Sequence, residues 1–210
     1  LNALDSSYIK FNQWLQRTGD APVILSEERN KKSATQLQRY YASLGYFNAE
    51  TSYEVATDSS KEKRASVQYD VIKHKPYFID SIAYNLSSPV VDSLFQRTKH
   101  NTFIKEGDQY NRSNFVNEID RLTIQFRNSG LYYFDQDYVT FKGDTVNTDH
   151  KAHITYVIPD RKIPAGDTTY TEPFKVYTIN KVRVVTDFTF ANSNEKLTDS
   201  VTYNGYNLYG

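Results

Sequence analysis

Apolar positions along this chain change their period at glycines. Leu37, Tyr40 or Tyr41, and Leu44 recur at helical spacing, and Gly45 then sits where a left-handed helix stop is wanted. From there the period is two. Phe47, Ala49, Thr51, Tyr53 and Val55 share one face, with Asn48, Glu50, Ser52 and Glu54 on the other. Further on, Phe115, Ile119, Leu122 and Phe126 form a second helical stripe, Gly130 stops it, and Leu131 to Phe134 opens a strand. Tyr8, Phe11 and Trp14 or Leu15 mark an earlier helix, with Asp5, Ser6 or Ser7 as N-cap and Gly19 to Pro22 as its end.

The same reading predicts a helix over 27–44, a hairpin of strands 47–57 and 64–72 around the polar turn 58–61, and a strand over 77–84. Ser88 is expected to cap a helix with Pro89 at its first position, Val91, Leu94 and Phe95 facing inward. A helix over 112–129 and strands near 132–142 and 150–158 follow, the last with Ala152, Ile154, Tyr156 and Ile158 on one face. Residues 160–173 read as a polar connector and 176–185 as the opening of another strand, while 186–210 carry no assignable pattern.

Landmarks recur in one order. Gly19-Asp20 is matched by Gly107-Asp108, Gly45 by Gly130, and Ala65-x-Val67-x-Tyr69 by Ala152-x-Ile154-x-Tyr156. Tyr77-x-Ile79-x-x-Ile82 is matched by Tyr177-x-Ile179-x-x-Val182. The chain therefore reads as tandem β-α-α-β-β units, an α+β class in which each three-stranded mixed sheet carries two helices on one face. The expected division is a repeat over 1–75 with its first strand missing or irregular, a repeat over 76–160, a connector over 161–174, and the start of a third repeat over 175–210. Two parity conflicts stand out. Phe134 and Val139 cannot both face the core of one regular strand, so either a bulge intervenes or one faces out. Ile79 and Ile82 conflict likewise. One is expected to serve the sheet core and the other a junction with the preceding repeat, placing Tyr77, Ile79, Tyr177 and Ile179 at interdomain junctions.

Charge narrows the partners: 25 Lys+Arg balance 25 Asp+Glu, without the basic surplus that nucleic acid or anionic lipid favours. No run approaches the roughly 18 apolar residues of a spanning helix. The absence of cysteine excludes disulfides, thiolate metal sites and cysteine nucleophiles. The start at Leu1 without methionine suggests a segment of a longer, processed protein. The 18 tyrosines and 12 phenylalanines cluster with Thr and Val, as half-buried strands require.

The ordered set of landmarks resembles POTRA domains, the soluble repeats that precede the membrane barrel in BamA/TamA-type outer-membrane assembly proteins. The features that carry it are Gly-Asp before the second helix, Gly45-Tyr46-Phe47 or Gly130-Leu131-Tyr132-Tyr133 after it, and the Ala-x-Val/Ile-x-Tyr return strand. Gly19-Asp-Ala-Pro-Val-Ile24 followed by the helix ending in Gly45-Tyr46-Phe47 looks most like the TamA-like proteins of the Bacteroidetes, in the surface antigen family. The resemblance covers about residues 15–190 and departs from the pattern at the N-terminus, where no first strand is found. It implies a periplasmic segment tethered to a C-terminal outer-membrane β-barrel of the same chain, acting in insertion or translocation of outer-membrane proteins. Its partners would be unfolded outer-membrane clients or subunits of an assembly complex. Related repeats in two-partner secretion transporters and cell-division proteins leave the branch open.

Candidate chemistry is sparse. His150 and His153 are three apart at a strand start, which sends them to opposite faces rather than to one metal, and His74 and His100 read as surface histidines. Asp135 with Asp137 could share a strand face, but a solvated outer face is the plainer reading. No phosphate loop, zinc-protease helix or nucleophile elbow occurs. The expectation is a non-enzymatic chain without cofactor or metal. Its candidate polypeptide-binding surfaces are two sheet edges, Phe47, Ala49, Thr51, Tyr53 and Val55 in one copy and Tyr133, Asp135, Asp137, Val139 and Phe141 in the other. There an added strand would pair with open backbone groups. A structural spacer that docks partner subunits is the alternative, and a glycan-binding module built on the aromatics is a third.

Overall fold

The computed structural model describes residues 3–18, 24–57, 64–185 and 200–209. The expected turn at 58–61 and the Gly19-Asp20 landmark lie outside the described residues. The protein is α+β, with two compact units. The first comprises Leu1–Ile79 with Gly107–Ser113 and Thr145–Ala152, and the second comprises Asp80–Glu106, Asn114–Asp144 and His153–Gly210.

In the first unit, α1 (Ala3–Thr18) is followed by α2 (Glu27–Ser43), then by β1 (Glu50–Thr57) and β2 (Ala65–Ile72). Ser26 caps α2, its hydroxyl accepting from Arg29 N, with Glu27 and Glu28 placed favourably for the helix dipole in the first turn. The helix ends as a Schellman motif: Gly45 N donates to Ala42 O and Tyr46 N to Tyr41 O, with Gly45 at φ +92°. β1 and β2 form an antiparallel hairpin in the register Tyr53 to Tyr69 and Val55 to Val67. Helix α2 lies against it, Thr51 Oγ1 donating to Ala34 O and Gln38 Nε2 to Ala49 O. The stripe expected to face inward on α1 is open instead: Tyr8, Phe11 and Trp14 are each more than half exposed. On that face the Phe11 and Trp14 rings lie 6.1 Å apart.

The second unit is built on a sheet ordered β3-β5-β4, where β3 is Phe78–Leu86, β4 is Thr140–Asp144 and β5 is Lys151–Ile158. β4 runs antiparallel to β5. Phe78 N donates to His150 O and Ser87 N to Ile158 O, so β3 and β5 run in the same direction and the sheet is mixed. The alternation of β5 is strict, with Ala152, Ile154, Tyr156 and Ile158 all buried. α3 (Pro89–Thr98) and α4 (Arg112–Asn128) cover that face. Phe95 of α3 lies 5.6 Å from Tyr156, and Phe115 of α4 packs on Phe141, which packs on Tyr156. Each fully buried ring of this kind contributes about 1.5–3 kcal/mol.

Both parity conflicts have local causes. Ile79 is buried and Ile82, Tyr84 and Leu86 are half-buried, while Asp80 and Ser81 are exposed in succession. This is the signature of a bulge, so one side of β3 serves both isoleucines. Phe134 and Val139 are both buried because a 3-10 turn, Gln136–Tyr138, replaces the expected strand between them. The strand expected over 132–142 is thus only Thr140–Asp144.

The connector is not irregular. Arg161–Ala165 and Thr168–Glu172 form an antiparallel hairpin, β6 and β7, around the two-residue turn Gly166-Asp167. The strand expected over 176–185 shrinks to β8 (Arg183–Val185), which pairs in parallel with β10 (Tyr206–Tyr209), itself antiparallel to β9 (Ser200–Tyr203). This sheet, ordered β8-β10-β9, repeats the arrangement of β3-β5-β4, with the last strand in the middle.

Candidate functional site: sheet edges and glycine–tyrosine junctions

Two kinds of surface were singled out by the sequence: strand edges expected to bind polypeptide, and junctions expected to join repeats. The first is the open strand edge. β4 pairs only with β5, and β1 only with β2, among the described residues. On β1 the residues of the predicted face turn toward α2: Thr51 and Tyr53 are half-buried and the Tyr53 ring lies 6.1 Å from Tyr69, while Val55 near the strand end is 41% exposed. Ala49 is buried just ahead of the strand, and Phe47 lies in the preceding turn, 37% exposed. In the second copy only Phe141 belongs to the edge strand.

The others have different places because of the 3-10 insertion. Tyr133 sits in a turn with the Arg161 guanidinium 3.5 Å from its ring centre, a cation–π contact. Asp135 caps the 3-10 turn, its carboxylate accepting from Gln136 N at 2.6 Å. Asp137 is exposed within that turn, and Val139 is core.

The second surface is a junction that occurs twice. Tyr77 N donates to Gly45 O at 2.9 Å, and Tyr177 N donates to Gly130 O at 2.8 Å. Both glycines have φ +92°, and both end their helices by the same pair of bonds, Leu131 N to Phe126 O and Gly130 N to Arg127 O in the second case. Neither has room for a side chain. A Cβ on Gly45 would lie 2.9 Å from Tyr110 O, and one on Gly130 would lie 2.8 Å from Tyr177 O. Aromatics close over each: Phe47 lies 5.0 Å from Tyr77, and Tyr133 lies 5.3 Å from Tyr177.

Around Gly45 the rings are packed and burial raises the Tyr110 phenol above its ordinary value. Tyr77 is half-buried and Ile79 buried there, whereas Tyr177 is 46% and Ile179 84% exposed.

Supporting groups escaped the pattern reading. Glu118 is fully buried on α4 and holds Arg121 through two bonds of 2.7 and 2.9 Å, while also accepting from Phe103 N. Tyr156 OH reaches both Glu118 and Thr102, and burial pushes its phenol well above the ordinary range. Ser88 is at the N-cap of α3 but makes no capping bond. Its hydroxyl donates to Asp160 and accepts from Phe174 N, tying both ends of the β6–β7 hairpin to the sheet. Phe115, Glu118 and Leu122 share one helical face, so a carboxylate on an apolar stripe was the readable signal for the first network.

Ser81 Oγ is 2.7 Å from His153 Nδ1, but Asp80 approaches the same nitrogen at 3.7 Å, so the opposite-nitrogen relay of a catalytic triad is not formed. Among the described residues no group of three or more His, Cys, Asp or Glu could hold a metal, and no helix is long and apolar enough to cross a membrane.

No protein-family model and no curated protein matches the chain. It is similar to solved fragments of BamA. One is Haemophilus influenzae BamA POTRA3-5, at 17% identity and TM-score 0.40 over 61% of this chain and 48% of that one. Another is BamA from Haemophilus ducreyi lacking POTRA domains 1-3, at 16% identity and TM-score 0.41 over 77% and 28%. The chain therefore spans less than half the length of either.

Proposed function

We propose that this chain is a tandem POTRA-type segment of an outer-membrane β-barrel assembly protein, periplasmic and non-enzymatic, which binds extended polypeptides by strand addition. The observation that carries the reading is the edge strand β4, paired on one side only among the described residues and lying beside α4 through Phe141 and Phe115. Its backbone groups offer sequence-tolerant pairing at about 0.5–1.5 kcal/mol net per hydrogen bond, which suits transient handling of many clients. The β1 edge is a second such surface. The shared strand order of β3-β5-β4 and β8-β10-β9 supports a repeated unit, as the landmarks suggest. On this reading the partners are unfolded outer-membrane proteins or assembly subunits, and the TamA-like branch is the one the Gly19–Ile24 phrase favours.

The experiment is site-specific photocrosslinking in the full-length parent protein, with the probe at the exposed Lys142 of β4 and, as a control, at the exposed Arg97 of α3. Crosslinks to outer-membrane polypeptides from Lys142 alone support the reading. Equal crosslinking from both positions, or none from Lys142, contradicts it.

The spacer reading retains one specific support. The repeated glycine–tyrosine junctions and the Ser88 tie fix the spacing of elements rather than exposing them. Under that reading junction variants impair function and β4 variants do not.

A further inference from the structure

The two glycine–tyrosine junctions are built alike but completed differently. At Gly45 the segment Gly107–Tyr110, a turn leading into a single antiparallel bridge between Gln109 and Phe78, finishes the arrangement. Tyr110 N donates to Tyr77 O, Ile79 N to Asp108 O, and Gly107 N to Ile79 O, while Gln109 Nε2 donates to Leu44 O at the helix end. The Tyr110 ring then lies 4.9 Å from Phe47. With Phe78 N also donating to His150 O on the β5 side, the stretch beginning at Tyr77 is a strand from Phe78 on, and Ile79 is 1% exposed.

At Gly130 the foundation is the same down to the bond from Tyr177 N. Yet residues 173–182 form no strand, and Tyr132, Val176 and Ile179 are 68%, 50% and 84% exposed. Tyr177-x-Ile179-x-x-Val182 repeats the sequence pattern of Tyr77-x-Ile79-x-x-Ile82, so the difference does not lie in these residues.

We infer that the Gly130–Tyr177 junction is a socket for a segment of the Gly107–Tyr110 kind, supplied by a following repeat. The segment would pair antiparallel along Tyr177–Ile179 and seat an aromatic side chain against Tyr132. The chemistry follows from the occupied copy: a glycine whose N–H meets the Ile179 carbonyl, a backbone carbonyl for Ile179 N, and an aromatic three residues beyond the glycine. The inference rests on the tandem-repeat reading and not on strand addition at β4, so Lys142 crosslinking and the following test fail independently.

The probe is the peptide Lys105–Arg112 of this chain, titrated to millimolar concentration into the isotope-labelled 210-residue protein and read by amide chemical shifts. Saturable shifts are expected at Gly130, Tyr177 and Ile179. A Tyr110→Ala peptide should bind at least tenfold more weakly. The same loss is expected for the wild-type peptide on a Tyr132→Ala protein, a change at an exposed ring that leaves the fold in place. Absence of shifts at these amides, shifts centred on Tyr77 instead, or equal binding of the alanine peptide would overturn the inference.

Discussion

Replacing Gly45 by alanine separates two costs that usually arrive together. The first is conformational: a residue with a Cβ at φ +92° loses about 1–2 kcal/mol. The second is the close approach. The new Cβ would stand 2.9 Å from Tyr110 O and 3.2 Å from Tyr77 O, both backbone atoms with no flexible tip to swing away. Relief requires moving both chains and loosening the bonds Tyr77 N to Gly45 O and Tyr110 N to Tyr77 O, each 2.9 Å and each worth about 0.5–1.5 kcal/mol net. The sum is about 2–5 kcal/mol.

Gly107 supplies the control, since its φ of +87° is nearly the same but an added Cβ meets nothing within 4 Å. Gly107→Ala should therefore cost only the conformational part, leaving a difference of about 1–3 kcal/mol between the two variants. Native-state hydrogen exchange at the Tyr77 and Tyr110 amides reads this directly, because opening of the junction exposes those N–H groups. Faster exchange at both amides is expected in both variants, with the larger increase, by the further ~1–3 kcal/mol, in Gly45→Ala. Equal effects of the two substitutions would refute the close-approach account.

Three further outcomes follow from the supporting groups. Glu118→Ala removes the carboxylate paired with Arg121, which keeps only its contacts to Thr98 and Gln125, and should cost about 3–5 kcal/mol in urea unfolding, well beyond the exposed Glu54. Burial holds the Tyr156 phenol above its ordinary 10.0, so above pH 10 the unfolded chain releases that proton first and stability falls as pH rises. A Tyr156→Phe variant should show a shallower alkaline slope than wild type in melts between pH 9 and about 11. Ser88→Ala leaves the buried Phe174 N without its acceptor at a cost of about 1–3 kcal/mol, and limited proteolysis should then cut the β6–β7 hairpin faster.

Element type and order were legible where local and global preferences agree. The glycine stops at 45 and 130 were readable because a residue without Cβ best suits a left-handed helix end, and the alternation of 152–158 survives intact in β5. What local pattern does not carry is tertiary choice. A 3-10 insertion after Asp135 put Val139 into the core and took Tyr133, Asp135 and Asp137 off the edge, since apolar spacing alone cannot tell a strand from a tight turn between two buried anchors. The β6–β7 hairpin hid behind a polar composition, although Gly166-Asp167 between alternating residues was a turn signal. Ser88 looked like a cap because capping needs only its residue type. Its actual partners, Asp160 and Phe174, lie more than seventy residues away in sequence. Tyr8, Phe11 and Trp14 show the reverse case, a helical stripe that is read correctly as helix yet is more than half exposed.

On the proposed reading, extended polypeptide adds to β4. Hydrogen–deuterium exchange of the chain with and without an unfolded outer-membrane β-barrel polypeptide tests it most directly. Slower exchange across residues 140–144 on adding the polypeptide, with a smaller effect across 50–57, is the predicted result. Unchanged exchange at both edges in the presence of bound polypeptide would contradict it.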